Sequence, residues 1–186
     1  MLTLPIYNIV LDDAQGITKM SLVDAPAVES DFIAFSKQDV PLQFSVDEQQ
    51  HIVLGVALRA DFPIYRRDKS GYEYFVVFHK DTIKQLRDKF MKEQRTNLVN
   101  LDHTADTEGC YLIDSFIKDT ASGIAPSGFD DITDGSWFVA YKIDNPDVWK
   151  QVQDGTFKGF SIEGTFCLVE QKQEDDLDDI LDDLLS

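Results

Sequence analysis

Cysteine, histidine and positive charge are scarce in this sequence, and a long apolar run is missing. Its two cysteines, Cys110 and Cys167, lack the spacing of a metal site, and we expect reduced thiols rather than a disulfide. With only three scattered histidines, we expect no metal and no cofactor. The formal net charge of −17 argues against binding to nucleic acid or to an anionic membrane surface. No segment approaches the roughly 18 consecutive apolar residues of a membrane span, and the N-terminus does not read as a signal peptide.

What remains is a chain of 186 residues with 43% hydrophobic residues, enough for one globular core with appended segments. We predict an N-terminal arm with strands over residues 1–42, a main domain over 43–172 and an acidic tail over 173–186. The tail contains seven carboxylates and an apolar stripe at helical spacing. This pattern fits an amphipathic helix that docks on a partner, and it equally fits a frayed, solvated end.

The main domain is predicted to be mostly strands, with two helices. Aromatic and β-branched residues favour strands, and apolar residues at helical spacing indicate the helix over 80–94. Asn145 followed by Pro146 is typical of a helix start and opens the second helix, over 146–154. The predicted strands cover 6–11, 17–23, 52–58, 72–79, 98–103, 111–117, 137–143 and 159–169. A long loop over 120–134 is rich in Gly, Ser, Pro and Asp. These elements predict an α+β or β-barrel-like domain.

The residues with the clearest chemical potential are a serine and a histidine far apart in sequence. Ser161 lies in a predicted strand between Gly159 and Gly164, and glycine lets another backbone approach closely. His103 ends another predicted strand. A serine and a histidine brought together by a sheet are the pattern of nucleophilic catalysis. Taken singly, each residue is more often structural, and Asp102, of opposite strand parity to His103, is expected to be structural.

Several motifs in a fixed order resemble those of one known family. They are Ser21-Leu22-Val23-Asp24-Ala25-Pro26-Ala27-Val28-Glu29, Phe32-Ile33-Ala34-Phe35, Pro63-Ile64-Tyr65-Arg66, Asp102-His103, Gly135-Ser136-Trp137, Val148-Trp149 and Gly159-Phe160-Ser161-Ile162-Glu163-Gly164. The chain resembles the prohead, or capsid maturation, serine proteases of tailed phages, in the branch with the Gly-Phe-Ser-Ile-Glu-Gly motif. The resemblance implies an α+β, mostly antiparallel β fold like that of the herpesvirus assemblins, a small β-barrel flanked by helices.

The resemblance also implies a catalytic triad, in which Ser161 is the nucleophile and His103 the base. For the third member we favour Glu163, which on a regular strand points the same way as Ser161, about 6.6 Å further along. Glu170 or a carboxylate of the tail competes with it, because the third residue lies further downstream in several relatives. His79 is the choice if the third member is a histidine.

The function implied is that of a serine endopeptidase that cleaves scaffold and capsid-protein segments during head maturation. Its partners are then the major capsid protein and the scaffold protein, its location is the host cytoplasm inside assembling proheads, and a homo-oligomer is left open. The alternative is a catalytically inactive structural or scaffold component of the phage head. An esterase is a third hypothesis, but the Gly-x-Ser-x-Gly elbow is absent because Glu163 occupies the second glycine position.

Overall fold

The structure is a computed structural model that describes residues 4–11, 15–24, 45–68 and 70–171. Strands dominate the described chain, accompanied by two α-helices and two short 3-10 turns. In chain order the elements are β1 (Ile6–Val10), β2 (Gly16–Val23), β3 (Ser45–Asp47), β4 (Ile52–Leu58), β5 (Ile64–Arg67), β6 (Glu73–Val77), α1 (Lys80–Lys92), β7 (Val99–Leu101), β8 (Ala105–Thr107), β9 (Cys110–Ile117), β10 (Trp137–Ile143), α2 (Pro146–Gln153), β11 (Gly159–Thr165) and β12 (Cys167–Glu170).

The strands form three four-stranded sheets, and the α+β, mostly β class is confirmed. The first sheet has the order β12-β1-β6-β5, the second β3-β4-β10-β9 and the third β11-β2-β7-β8. Two neighbouring pairs, β1 with β6 and β2 with β7, are parallel, and the other pairs are antiparallel. Within the described ranges each sheet is open, so the strand ladders do not form the closed barrel implied by the resemblance.

The core lies where the apolar faces of the three sheets meet. β10 is buried along almost its whole length, and Trp137 and Tyr141 are among its largest fully buried side chains. A strand covered on both faces favours a continuous apolar sequence, as found in β4 and in residues 137–141 of β10. The predicted strands over 52–58 and 137–143 are confirmed.

Both predicted helices are present and pack through apolar faces. In α1 the buried residues are Ile83, Leu86 and Phe90, and the ring of Phe90 meets Trp137 edge-on. The side chain of Asn145 caps α2, because its oxygen accepts hydrogen bonds from the first backbone N–H groups of the helix. The first helix ends two residues earlier than predicted, at Lys92.

The two N-terminal strands are integral parts of the sheets. β1 lies between β12 and β6, and β2 lies between β11 and β7. The single strand predicted over 159–169 is divided at Phe166, where the chain passes from the third sheet to the first. The ring of Phe166 packs edge-on against Phe78 at this crossing. The predicted tail lies outside the described residues.

A buried lysine organises the loop that follows β9. Lys118 is buried, and its Nζ donates hydrogen bonds to the backbone carbonyls of Phe129, at 2.8 Å, and Ile132, at 2.6 Å. Phe129 and Ile132 pack in turn against Phe138 of β10. These contacts fix the predicted 120–134 loop on the second sheet, and no hydrogen bond among the described residues links it to Ser161, His103 or Glu163.

Candidate active site

A row of polar side chains crosses the third sheet at one level. Ser161 of β11 lies directly opposite Ser21 of β2. In the strand register, Ser21 is paired with Asn100 on β7, and Asn100 is paired with Asp106 on β8. Directly opposite residues share a face, with Cβ atoms about 4.5–5.5 Å apart in antiparallel pairs. Ser161, Ser21 and Asn100 therefore line one surface of the sheet, although they are 6%, 0% and 3% exposed.

Glu163 lies on the same surface, two residues after Ser161 on β11, and opposite Lys19 of β2. The next residue, Gly164, lets the two strands approach closely. A Cβ added there would lie 2.4 Å from the backbone oxygen of Gly16, which is far inside van der Waals contact. The glycine expected to permit a close backbone approach therefore does so here, and it sets the spacing of β11 and β2 beside Glu163.

His103 reaches this surface from a tight turn and not from a strand. The strand predicted over 98–103 ends at Leu101, because Asp102 and His103 adopt left-handed φ angles of 47° and 57°. Positive φ at both central positions is typical of a type I′ hairpin turn, and the N–H of Thr104 closes it by donating to the Leu101 carbonyl at 2.9 Å. Such angles are strained for residues other than glycine.

Asp102 ties this turn to the end of β2. Its backbone N–H donates to the Leu22 carbonyl at 3.0 Å, and its Oδ1 accepts from the backbone N–H of Asp24 at 3.2 Å. These contacts fit the structural role expected for Asp102. They also fix the turn from which the imidazole of His103 extends over the polar surface.

The imidazole of His103 contacts two side chains through a single nitrogen. Its Nδ1 lies 3.0 Å from Oε1 of Glu163 and 3.0 Å from Oγ of Ser21. Among the described residues, no hydrogen bond joins His103 to Ser161. The structure thus brings His103 and Glu163 into direct contact, and it places Ser161 beside them on the same sheet surface.

Glu163 is held in its ionised form by its donors. Burial raises the pKa of the Glu163 carboxyl, but hydrogen bonds from Asn100 and His103, aided by the charge of Lys19, lower it below its ordinary value of 4.5. Oε1 accepts from Nδ2 of Asn100 as well as from His103. A carboxylate held in this way can orient an imidazole and stabilise its protonated form.

The competing candidates for the third catalytic residue lie elsewhere. Glu170 lies on β12 in the first sheet, opposite Tyr7. His79 has both ring nitrogens occupied, by Oδ1 of Asp61 at 2.7 Å and by Oδ1 of Asn8 at 3.0 Å. A tail carboxylate lies outside the described residues. Among the described carboxylates, only that of Glu163 forms a hydrogen bond with His103.

Other chemistry finds little support in the described residues. Burial, followed by the charge of Asp144, raises the pKa of the Cys110 thiol to about 11, so this thiol is not an activated nucleophile. No group of three His, Cys, Asp or Glu residues in these ranges is arranged to hold a metal ion. Their helices include none that is long and apolar enough to cross a membrane. A cavity of about 180 Å³ lies against Ile162, on the opposite face of β11 from Ser161.

Sequence reasoning missed Ser21 and Asn100 as parts of the site. Each is a polar residue between two apolar neighbours in its strand, and each is buried. Buried polar groups require hydrogen-bond partners, so such residues point to a polar network. That signal was present in the sequence, but it did not indicate which partners the residues would meet.

Comparison with known proteins identifies the family of this chain. Residues 39–170 match the family model described as "Putative phage serine protease XkdF". Because the match covers most of the chain, the protein belongs to this family of phage serine proteases. Searches of curated proteins and of solved structures returned no match.

Proposed function

We propose that this protein is a serine endopeptidase with Ser161 as nucleophile, His103 as general base and Glu163 as the carboxylate that orients the base. The observation that carries the proposal is the 3.0 Å contact between Nδ1 of His103 and Oε1 of Glu163 on the surface that bears Ser161. Membership of a phage serine protease family supports the same reaction class.

The chemistry follows from the nitrogen that Glu163 occupies. Because Nδ1–H donates a hydrogen bond to the carboxylate and keeps its proton, the lone pair of the neutral ring is on Nε2. Nε2 takes the hydroxyl proton of Ser161 as Oγ bonds to the scissile carbonyl carbon. The imidazolium then returns the proton to the leaving amine, which gives an acyl-enzyme, and water releases the acyl group by the same steps in reverse.

The proposed substrates are scaffold and capsid-protein segments inside assembling proheads in the host cytoplasm. This assignment rests on the motifs that resemble prohead proteases, together with the phage family match. The same motifs support a relation to the herpesvirus assemblins. The capsid and scaffold proteins are the partners on this proposal.

A second candidate function is that of an inactive structural component of the head. Two observations favour it: Ser161 is only 6% exposed, and His103 is hydrogen-bonded to Ser21 and not to Ser161. For catalysis, a substrate carbonyl has to reach this nearly buried hydroxyl. Catalytic hydrogen bonds are often long or incomplete before substrate binds, so the protease remains the better supported function.

The deciding experiment is co-expression of the protein with its neighbouring capsid and scaffold proteins, followed by intact-mass analysis. Wild type is compared with Ser161→Ala and with Ser122→Ala, which makes the same change in an exposed turn. We expect truncated products with wild type and Ser122→Ala, and intact partners with Ser161→Ala.

Truncation that persists in Ser161→Ala would refute the assignment of the nucleophile. Identical, intact masses in all three samples would favour the inactive head component. Circular dichroism and thermal unfolding of each variant establish that the compared proteins are folded.

A further inference from the structure

Ser21 contacts two members of the proposed triad, His103 and Glu163, but has no part in the proposed reaction. Its side chain is fully buried, at 0% exposed, in the middle of β2. Its Oγ lies 3.0 Å from Nδ1 of His103 and 3.5 Å from Oε1 of Glu163. It also lies directly opposite Ser161 in the strand register. A buried hydroxyl in contact with both the base and its carboxylate has a part in setting their geometry.

The protons in this cluster can be assigned by counting donors and acceptors. An ionised carboxylate only accepts hydrogen bonds, and Oε1 of Glu163 receives one from Nδ2 of Asn100. A hydrogen bond between Oε1 and the imidazole therefore requires the proton on Nδ1 of His103. Ser21 then accepts from the same Nδ1–H, and its own hydroxyl proton points to Oε1. Each of these contacts then has one donor and one acceptor.

This assignment excludes Ser21 as a nucleophile activated by His103. A general base removes a proton with a nitrogen lone pair, and the nitrogen that faces Ser21 already carries a proton. The ring's lone pair is on Nε2, whereas the nitrogen that contacts Ser21 is Nδ1. The serine that His103 contacts in the structure is thus distinct from the serine that it activates.

We propose that Ser21 is a positioning residue, which holds His103 as the Nδ1–H tautomer and keeps Nε2 available to Ser161. The proposal rests on the proposed serine protease function. Ser21 acts with Glu163, because the hydroxyl and the carboxylate share one imidazole N–H. When Ser21 is lost, the ring keeps its carboxylate but loses its second contact, and it samples other orientations.

The kinetic test compares Ser21→Ala with wild type, Ser161→Ala and a matched control, Ser136→Ala. Ser136 is also 0% exposed, and its Oγ accepts a hydrogen bond from the backbone N–H of Ala60, at 2.9 Å. The readout is the rate of labelling by a fluorophosphonate, an electrophile that reacts with activated serines and requires no known substrate. Peptide mapping then identifies the labelled residue.

We expect Ser21→Ala to be labelled about 5- to 50-fold more slowly than wild type, the range that one hydrogen bond to a catalytic group commonly supports. The adduct should remain on Ser161, and Ser136→Ala should react at the wild-type rate even where it is less stable. An unchanged rate in Ser21→Ala would overturn the proposal. An adduct on Ser21 in wild type would overturn it as well, by making Ser21 the nucleophile.

A spectroscopic test does not depend on activity and so separates this inference from the proposed function. The full chain, labelled with ¹⁵N in its three histidines, is examined by long-range ¹H–¹⁵N NMR at pH 8, and His103 is assigned by its loss in His103→Gln. We expect the Nδ1–H tautomer in wild type and a mixture of tautomers in Ser21→Ala. The Nε2–H tautomer in wild type, or no difference between the two proteins, would overturn the inference. A wild type that shows the expected tautomer but is never labelled would refute only the protease function.

Discussion

Replacing Glu163 by glutamine tests the central contact of the site with almost no change of shape. In wild type, Oε1 accepts from Asn100 and contacts His103 and Ser21. The glutamine amide keeps one oxygen acceptor but replaces the other oxygen by an N–H donor, and it carries no charge. In the proposed mechanism, the imidazolium of His103 therefore loses its counter-charge.

The size of the loss can be worked out from the contact. Two unit charges about 4 Å apart attract by about 4 kcal/mol at an effective dielectric constant of about 20. The Glu163 side chain is 30% exposed, and solvent screening lowers this to about 3 kcal/mol, or about 100-fold in rate. If the amide N–H instead turns toward Nδ1 and inverts the tautomer, the loss rises to about 10⁴-fold, as found for the equivalent change in a serine protease triad.

The assay is the fluorophosphonate labelling rate, followed by cleavage of the capsid and scaffold partners. Glu170→Gln serves as the matched control, since it makes the same change at the exposed carboxylate on β12 that competed for this role. We expect Glu170→Gln to behave as wild type. Our reasoning fails if the labelling rate of Glu163→Gln stays within about 3-fold of wild type, or if Glu170→Gln is labelled more slowly than Glu163→Gln.

The pH dependence of stability gives a second readout of the same substitution. The pKa of Glu163 is lower in the folded protein than its ordinary value of 4.5, so the ionised carboxylate stabilises the fold above that pH. This contribution is lost as the pH falls from 4.5 through the folded pKa. Wild type should therefore be more stable than Glu163→Gln in urea at pH 7, and the difference should shrink at pH 3.5. A difference that is independent of pH would contradict the lowered pKa.

Two further substitutions test how the scaffold supports the site. Lys118→Met should lower the free energy of unfolding by about 2–4 kcal/mol, because it leaves buried carbonyls without their charged donor. Urea unfolding measures this loss, with Lys84→Met, at an exposed lysine, as the control. Equal losses in the two variants would contradict the prediction. Gly164→Ala should lower the free energy of unfolding by about 1–3 kcal/mol and also slow fluorophosphonate labelling, because the new methyl group collides with the Gly16 backbone. If the variant keeps the stability and the labelling rate of wild type, the two strands can move apart without cost and the prediction is wrong.

Local patterns predicted the elements of the fold better than their arrangement. The helix that opens at Asn145 and Pro146 follows from a side-chain cap and a fixed proline φ, both of which act within a few residues. The strand order depends on contacts between distant residues. The parallel pairing of β2 with β7 brings Ser21 beside Asn100, and periodicity in either strand does not specify that neighbour.

In the candidate site too, local patterns predicted some features and missed those that depend on distant residues. The same-face relation of Ser161 and Glu163 follows from strand alternation, which needs only their spacing. The turn at His103 does not, because two consecutive left-handed residues other than glycine are uncommon, although Asp and His adopt this conformation more often than most residues. Sequence alone therefore suggested a strand there. The contact with Ser21 was missed for a further reason, since the strand predicted over 17–23 carried no signal of which strands it would pair with.

The third sheet also determines when in the life of the chain the site can exist. Ser161 and Glu163 on β11 meet Ser21 on β2 and Asn100 on β7 only when β11 pairs with β2 at the edge of the sheet. A ribosome releases the segment with Ser21 long before the segment with Ser161, and the early strands then lack their neighbour. The polar cluster therefore forms only after nearly the whole described sequence has been synthesised, and a nascent chain does not yet carry the assembled group of Ser161, His103 and Glu163 that the proposed reaction requires.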